Sequence, residues 1–284
     1  MARRVARRVA RRVARRVKVD PEAVTAAALL LGVSGGSTLG AFDPIWASVD
    51  GRPVLAWALH AFARFTGAAG VCPVPHRAAR ALAAVVLVVA PARVPDAQAL
   101  LAAEEWVRTG VSLAVVASEP RWQDAVSAGL AALDALTPLA GRHPSTILVH
   151  DAARPLITPE RIGAALAAAL RAPAATAVEP VKETLKLVRD GRVMSTLPRE
   201  RLVSTQTPQV FSRETLRALY AYHAPLTDDG APSVASAAPD GAALALAAGL
   251  PVATFPGSPE NLRVTTPADL ALVEQLLRAR HPHG

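Results

Sequence analysis

Apolar runs and amphipathic stretches alternate along most of this chain. Val24–Leu31 is a continuous apolar run, and it predicts a buried strand followed by a Gly/Ser-rich loop from Gly32 to Gly51. Pro53–Phe65 has helical spacing with Pro at its start. Residues 66–80 read as a Gly/Pro/Arg loop. Ala84–Ala90 is the β-branched run expected of a parallel strand covered on both faces. Asp96–Val107 then predicts a helix, Ser112–Ala117 a strand and Trp122–Leu136 a helix. A further strand over 145–149 precedes a helix over 159–171. This rhythm predicts an α/β fold with a mostly parallel sheet and helices on both faces.

After another strand, Ala174–Pro180, the pattern changes. Thr184–Val188 and Arg192–Thr196 flank Asp190-Gly191, and a DG pair between β-like runs signals a hairpin. A hairpin leaving a parallel sheet predicts a projecting arm, over about residues 182–206. Ser212–His223 reads as a helix, 224–241 as a loop, and Val252–Phe255 and Leu262–Val264 as short strands. Pro267–Arg280 closes the pattern as a helix, with Thr265 or Thr266 as N-cap and Pro267 in the first turn.

Candidate chemistry concentrates in Ser145–Thr158, where an apolar run ends in His150, Asp151, Arg154 and Pro155. In open α/β sheets, ligands bind at the carboxyl ends of strands. There an Asp can hold a metal ion and an Arg can clamp a phosphate. The alternative is a capped strand end with Arg154 as the surface ion-pair partner of Asp151.

Composition changes this picture at two points. The net charge of +8 belongs to the first 18 residues, which hold nine of the 31 Lys and Arg. The other 22 face 23 acidic residues, so the body is near neutral, and neither nucleic acid nor membrane is expected as its partner. Residues 1–22 read as a disordered low-complexity tail and 23–281 as one domain. The valines of the tail (5, 9, 13 and 17) would make too thin a helical stripe to dock firmly, although the arginines could touch anionic lipid or nucleic acid. Asp20, Pro21 and Glu22 separate it from Ala23–Val33, which argues against a signal peptide, and no apolar run reaches the ~18 residues of a membrane span. The single cysteine, Cys72, allows no disulfide framework within the chain and fits a reducing cytoplasm.

Four stretches stand in a telling order: HDAARPLI (150–157), PVKETLK (180–186), RERLVSTQTPQVF (199–211) and NLRVTTPADL (261–270). Together they resemble the 2-C-methyl-D-erythritol 4-phosphate cytidylyltransferase family of the non-mevalonate isoprenoid pathway, over about residues 24–280. The resemblance implies a Rossmann-like nucleotidyltransferase sheet and a homodimer joined by the arm. It implies that the acceptor's phosphate oxygen attacks the α-phosphorus of CTP, with Mg²⁺ or another divalent cation, and that pyrophosphate leaves. Such chemistry needs polyanions held in line and their charge neutralised.

Carried over by position, the resemblance makes Asp151 a catalytic and metal-binding residue beside the cytidylyl ribose-phosphate. Arg154 would bind the acceptor alcohol or brace its loop. Thr184 and Arg199, on the arm, would enter the partner's site and hold the acceptor phosphate. Thr207 would line the acceptor pocket. Arg263, a catalytic cation, falls where the family usually has Lys in N-x-K-[IV]-T. The nucleotide would lie on the backbone of Gly32, Val33, Ser34, Gly35 and Gly36.

The nucleotide end departs from the family pattern. Matching VDGRPVL (49–55) to the family's L-x-G-x-P-[VL]-L puts Thr38 at its usual Arg and Pro44 at its usual Lys, and no Lys or Arg lies between Asp20 and Gly51. Ala125 replaces a hydroxyl residue, Arg121 is displaced by one position, and Ser118-Glu119 replaces Gly-Gly. The T-D-D-A-S motif is split after Asp229, which leaves Asp228, Asp229 and Asp240 as candidates for its acidic position. The first functional reading is cytidylyl transfer to methylerythritol phosphate. The alternatives are a catalytically impaired member, acting as a dimerising phosphometabolite-binding or regulatory protein, and transfer to another polyol phosphate.

Overall fold

Strand β1 (Ala26–Gly32) is buried along its whole length, because neighbouring strands flank it and helices cover both its faces. The structure is a computed structural model and describes residues 25–33, 42–65, 82–103, 111–136, 143–221 and 240–280. The Arg-rich tail and Cys72 lie outside these residues.

In chain order, β1 is followed by a small hairpin, β2 (Ser48–Val49) and β3 (Arg52–Pro53), which leads straight into α1 (Val54–Ala63). Then come β4 (Leu82–Val89), α2 (Val94–Leu101), β5 (Ser112–Ala117), α3 (Trp122–Ala135), β6 (Thr146–Asp151) and α4 (Pro159–Ala169). The second half has β7 (Ala174–Pro180), β8 (Lys186–Arg189), β9 (Arg192–Thr196), β10 (Val203–Ser212), α5 (Arg213–Ala221), α6 (Gly241–Ala247), β11 (Val252–Pro256) and α7 (Pro267–Arg280).

The main sheet has seven strands in the order β11-β7-β10-β6-β1-β4-β5. All its pairings are parallel except those of β10, which runs antiparallel between β6 and β7. From β1 the chain moves outward through β4 and β5 and then returns to the other side of β1 as β6. That reversal opens a crevice at the carboxyl ends of β1 and β6. Leu31 pairs with Asp151 across it, and the Ala152 amide donates to the Leu31 carbonyl at 3.0 Å.

Alternate side chains of β1 enter separate cores. Ala26, Ala28 and Leu30 pack with Leu59 and Phe62 of α1 and Ile162 and Leu166 of α4. Ala27, Leu29 and Leu31 pack with Val126 and Leu130 of α3 and Leu216 of α5. A third, smaller cluster joins Val49, Val54 and Leu156 to Val264, Val273 and Leu277, and so fastens α7 beneath the carboxyl edge. Thr266 and Asp269 close the start of α7 reciprocally: the Asp269 amide donates to Thr266 Oγ1 at 3.2 Å, and the Thr266 amide donates to Asp269 Oδ2 at 2.8 Å. This settles the N-cap as Thr266.

Several expectations are corrected. Leu262–Val264 is not a strand; the Val264 amide donates at 2.8 Å to the Ala153 carbonyl, outside any ladder. Residues 203–212, assigned to no strand from sequence, form β10 in mid-sheet. The loop predicted from Gly32 to Gly51 contains β2 and its turn at Asp50-Gly51, and α6 lies within a stretch given no helix. Asp50 and Gly51 take positive φ of 50° and 74°, nearly those of Asp190 and Gly191 at 49° and 71°, as a tight hairpin turn requires.

Truncating Leu29, which is wholly buried, leaves a cavity between β1 and α3. Leu29→Ala is expected to lower stability by about 2–5 kcal/mol, read as a lower urea midpoint at unchanged slope.

Candidate active site

Asp151 ends β6 at the crevice, with only 7% of the residue exposed. Its Oδ1 accepts the Ala153 amide at 3.0 Å, and its Oδ2 meets Arg263 Nε at 2.7 Å. Burying a carboxylate is costly unless it is hydrogen-bonded and paired, as this one is. The Arg263 side chain is half-exposed and is anchored to Asp151 through Nε.

Arg154 lies one turn further on, in a loop closed by the Arg154 amide donating to the Asp151 carbonyl at 3.0 Å. Its Nη1 donates to the Asn261 carbonyl at 2.7 Å. Burial, opposed by Asp151 and assisted by the nearby Arg263, lowers the Arg154 pKa from its ordinary value, although the group remains a cation. Asp151 therefore stands among two guanidiniums, and the cluster carries a net positive charge that suits a phosphorylated ligand.

Thr207, on β10, connects this cluster to the sheet. Its Oγ1 accepts the Asp151 amide at 3.0 Å and lies 3.1 Å from His150 Nδ1. His150 Nε2 in turn lies 3.1 Å from the Arg154 carbonyl. His150 has no exposed surface, and its ring stands 5.0 Å from that of Phe62. Removal from water drives its pKa down from 6.5 to about 4, against the smaller opposing effects of the Arg154 carbonyl and Asp151. Asn261 supports the other side: its Nδ2 donates to the Thr207 carbonyl at 2.7 Å and to Gln206 Oε1 at 3.2 Å. Gly257 permits this approach, since a Cβ there would stand 2.6 Å from Gln206 Oε1.

The structure thus brings together Asp151, Arg154, Thr207 and Arg263. It places Thr184 and Arg199 elsewhere, exposed on the arm, where Arg199 Nη1 donates to the Lys182 carbonyl at 2.8 Å. Gly32 and Val33 lie at the crevice beside Asp151, and Gly32 is a close-packing glycine whose Cβ would stand 3.1 Å from the Val88 carbonyl oxygen. Ser34, Gly35, Gly36, Thr38, Asp228 and Asp229 lie outside the described residues. Asp240 is the N-cap of α6, its carboxylate accepting the Ala243 amide at 2.8 Å. Ala125, in the first turn of α3, is wholly buried, and Arg121 Nε pairs with Asp124 at 2.9 Å.

Pro44 is buried in a turn that Asp43 organises by accepting the amides of Ile45 and Trp46 at 3.2 and 3.3 Å. Arg93, from the segment after β4, reaches that turn. One end of its guanidinium pairs with Asp43 at 3.2 Å, the other with Asp96 at 3.0 Å, and its face lies 5.2 Å from the Trp46 ring centre. This cation is already matched by two carboxylates, so it holds the turn to α2 and is poorly placed to neutralise a phosphate.

His150, Gln206 and Asn261 received no role from sequence reasoning. Each sits inside a quoted motif, but only the tertiary hydrogen bonds show what it contacts. Among the described residues, no group of three or more His, Cys, Asp or Glu side chains is arranged to hold a metal ion. Asp151 suits an ion that arrives on a ligand's phosphates, since Mg²⁺ usually takes one or two carboxylates and fills its remaining positions with phosphate and water.

Residues 35–279 match the family described as 2-C-methyl-D-erythritol 4-phosphate cytidylyltransferase. A protein of that name from Cereibacter sphaeroides is 35% identical over 255 residues, covering 89% of this chain and 97% of the relative. Another, from Frankia casuarinae, is 40% identical over 200 residues, covering 69% of this chain and 65% of the relative. Among solved structures, the cytidylyltransferase of that name from Thermus thermophilus superposes with a TM-score of 0.59 at 28% identity, covering 88% of this chain and 98% of the other. The 4-diphosphocytidyl-2C-methyl-D-erythritol synthase from Anaerococcus prevotii shares the fold, with a TM-score of 0.65 at 19% identity, covering 90% and 99% of the two chains.

Because the folded-state pKa of His150 lies below its unfolded value, the unfolded chain takes up the proton first as pH falls. The stability that depends on the neutral ring is complete above about pH 6.5 and is lost as the pH drops toward and through about 4. The loss amounts to about 3 kcal/mol. Urea unfolding across that range is expected to show this fall, and His150→Asn to show a shallower one.

Proposed function

The chain belongs to the 2-C-methyl-D-erythritol 4-phosphate cytidylyltransferase family, and from that premise we propose how its crevice transfers a cytidylyl group from CTP to 2-C-methyl-D-erythritol 4-phosphate in isoprenoid precursor synthesis. The observation that carries the reading is Asp151 compensated by Arg263 and flanked by Arg154, at the crevice between β1 and β6. Two polyanions must approach each other for this reaction, and the dominant catalytic need is positioning and neutralisation of charge. The backbone at Gly32 and Val33 would receive the nucleotide. The exposed end of Arg263 would bear on the phosphoryl oxygens as pyrophosphate departs. Arg154, fixed through Asn261, would orient the acceptor. A divalent cation bound with CTP would supply further neutralisation, with Asp151 as its protein ligand. No described helix is long and apolar enough to cross a membrane. A cytoplasmic location belongs to the same proposal, from the single cysteine.

The arm supports a homodimer. β8 and β9 form a two-stranded sheet of their own, whose Leu187, Val188, Val193 and Met194 are 53–63% exposed. An isolated hairpin is marginal in water, and a second copy of the chain would bury this apolar surface. Thr184 and Arg199, exposed on the arm, would then serve the partner's crevice.

A second reading, a catalytically impaired member, is favoured by one observation: Pro44, at the family's Lys position, is a buried turn residue and not a cation. Incubation of the full chain with CTP, methylerythritol phosphate and Mg²⁺ is expected to release pyrophosphate. No release above background would sink the transferase reading, and release only from the Thr38→Arg, Pro44→Lys double variant would establish the second. Met194→Asp is expected to convert the dimer to monomer in sedimentation and to cut turnover about tenfold or more, through loss of the partner's Arg199. An unchanged sedimentation profile would count against the arm as the interface.

A further inference from the structure

We propose that His150 is a positioning residue: a buried hydrogen-bond bridge that holds Asp151 and Arg154 in a fixed relation by joining Thr207 to the backbone of Arg154. The proposal rests on the reading that Asp151 and Arg154 face the substrates.

The bridge is a chain of three contacts, from the Asp151 amide to Thr207 Oγ1 (3.0 Å), from Thr207 Oγ1 to His150 Nδ1 (3.1 Å) and from His150 Nε2 to the Arg154 carbonyl (3.1 Å). Its two ends dictate its direction. An amide only donates, so Thr207 Oγ1 accepts from Asp151. A carbonyl only accepts, so the proton of the neutral ring sits on Nε2. Nδ1 is then a lone pair, and the Thr207 hydroxyl donates its proton there. Each contact thus has one donor and one acceptor.

Imidazole suits this place for a geometric reason. The bridge needs a donor and an acceptor on opposite sides of a rigid, flat group that can be buried against Phe62, 5.0 Å away. Leucine would fill the volume but leave the Arg154 carbonyl and the Thr207 hydroxyl without these partners. The loop from Asp151 to Arg154 is held locally by two short bonds, Ala153 N–H to Asp151 Oδ1 and Arg154 N–H to the Asp151 carbonyl, both 3.0 Å. Those bonds shape the turn but do not tie its far end to the sheet. His150 does so, reaching from the strand before the turn to the carbonyl at its end. Thr207 extends the tie to β10, and through its carbonyl to Asn261, which also holds Arg154 Nη1. The ring thereby sets where the Arg154 guanidinium stands relative to the Asp151 carboxylate while touching neither charged group in the contacts described. Small misplacements of reacting groups cost rate steeply.

The test compares His150→Leu, His150→Asn and His150→Gln in the full chain. Asn keeps an acceptor for Thr207, and Gln keeps a donor toward Arg154. His150→Leu is expected to stay folded by circular dichroism and to lose about 10- to 100-fold in kcat, with a raised KM for the acceptor and a KM for CTP within about twofold. Asn and Gln are each expected to recover part of the loss. Thr207→Val is expected to lower kcat in the parent but to add little to His150→Leu, because both remove one bridge. Parent-like kinetics in His150→Leu, a loss no greater than its unfolded fraction, or full additivity with Thr207→Val would overturn the proposal. Nitrogen-15 spectra of the protein without substrates, at pH 7, supply a readout that does not depend on turnover. A proton on Nε2 and none on Nδ1 supports the bridge, and the opposite tautomer or a doubly protonated ring refutes it. Should the parent release no pyrophosphate, the functional reading fails, and the spectra and the coupling of His150 to Thr207 in unfolding experiments still decide the bridge.

Discussion

A carboxylate that is nearly out of water has to be compensated where it stands, and the carboxyl edge of this sheet is built around that requirement. The Asp151 carboxylate is met by the Ala153 amide on one oxygen and Arg263 on the other, and its backbone amide is fixed by Thr207. Those partners come from the loop after β6, from the segment before α7 and from β10, which are far apart in sequence. Each must be in place for the charge to be tolerated. The third hydrophobic cluster serves the same end, since Leu156, Val264 and Leu277 press the Arg263 segment against the Asp151 loop. Arg280 adds to this by donating from Nη1 to the Leu156 carbonyl at 3.0 Å.

The two sides of the crevice follow different physical logic. On the Asp151 side, polar groups are buried and their partners are specified one by one, so positions are tightly determined. On the other side, β1 ends at Gly32, where a Cβ would stand only 3.1 Å from the Val88 carbonyl oxygen, and the described chain resumes at the Asp43 turn. There the strong electrostatic contact is internal: Arg93 balanced between Asp43 and Asp96 over Trp46. That arrangement stabilises the turn and leaves it no excess positive charge. The positive character of the described site therefore comes from Arg154 and Arg263.

Local rules made much of the architecture legible in the sequence. The β-branched run at 84–90, the strands at 112–117 and 174–180 and the helix at 267–280 were readable because each owes its form to its own period and end signals. Asp190-Gly191 was readable for the same reason, whereas the same turn signal at Asp50-Gly51 is obscured by the loop-like stretch in which it lies. β10 was missed because its sequence, VSTQTPQVFS, is polar at one end and contains Pro208, and its strand state comes from being clasped between β6 and β7. Leu262–Val264 looked like a strand because Leu262 and Val264 flank a polar residue in strand-like alternation, yet Val264 is buried by docking on the Asp151 loop and not by pairing in a sheet.

By itself, then, the sequence determined which segments are strands and helices where periodicity and end signals suffice, the family, and the residue types at the crevice: Asp151, Arg154, Thr207 and Arg263. These follow from short-range steric and burial preferences and from motif order. Only the tertiary structure decided that Thr207 braces the Asp151 backbone, that His150 and Asn261 hold the loop from either side, and that Asp240 caps a helix. Those are matters of hydrogen-bond direction and through-space distance between segments up to about a hundred residues apart, and no local pattern encodes which buried donor will meet which acceptor.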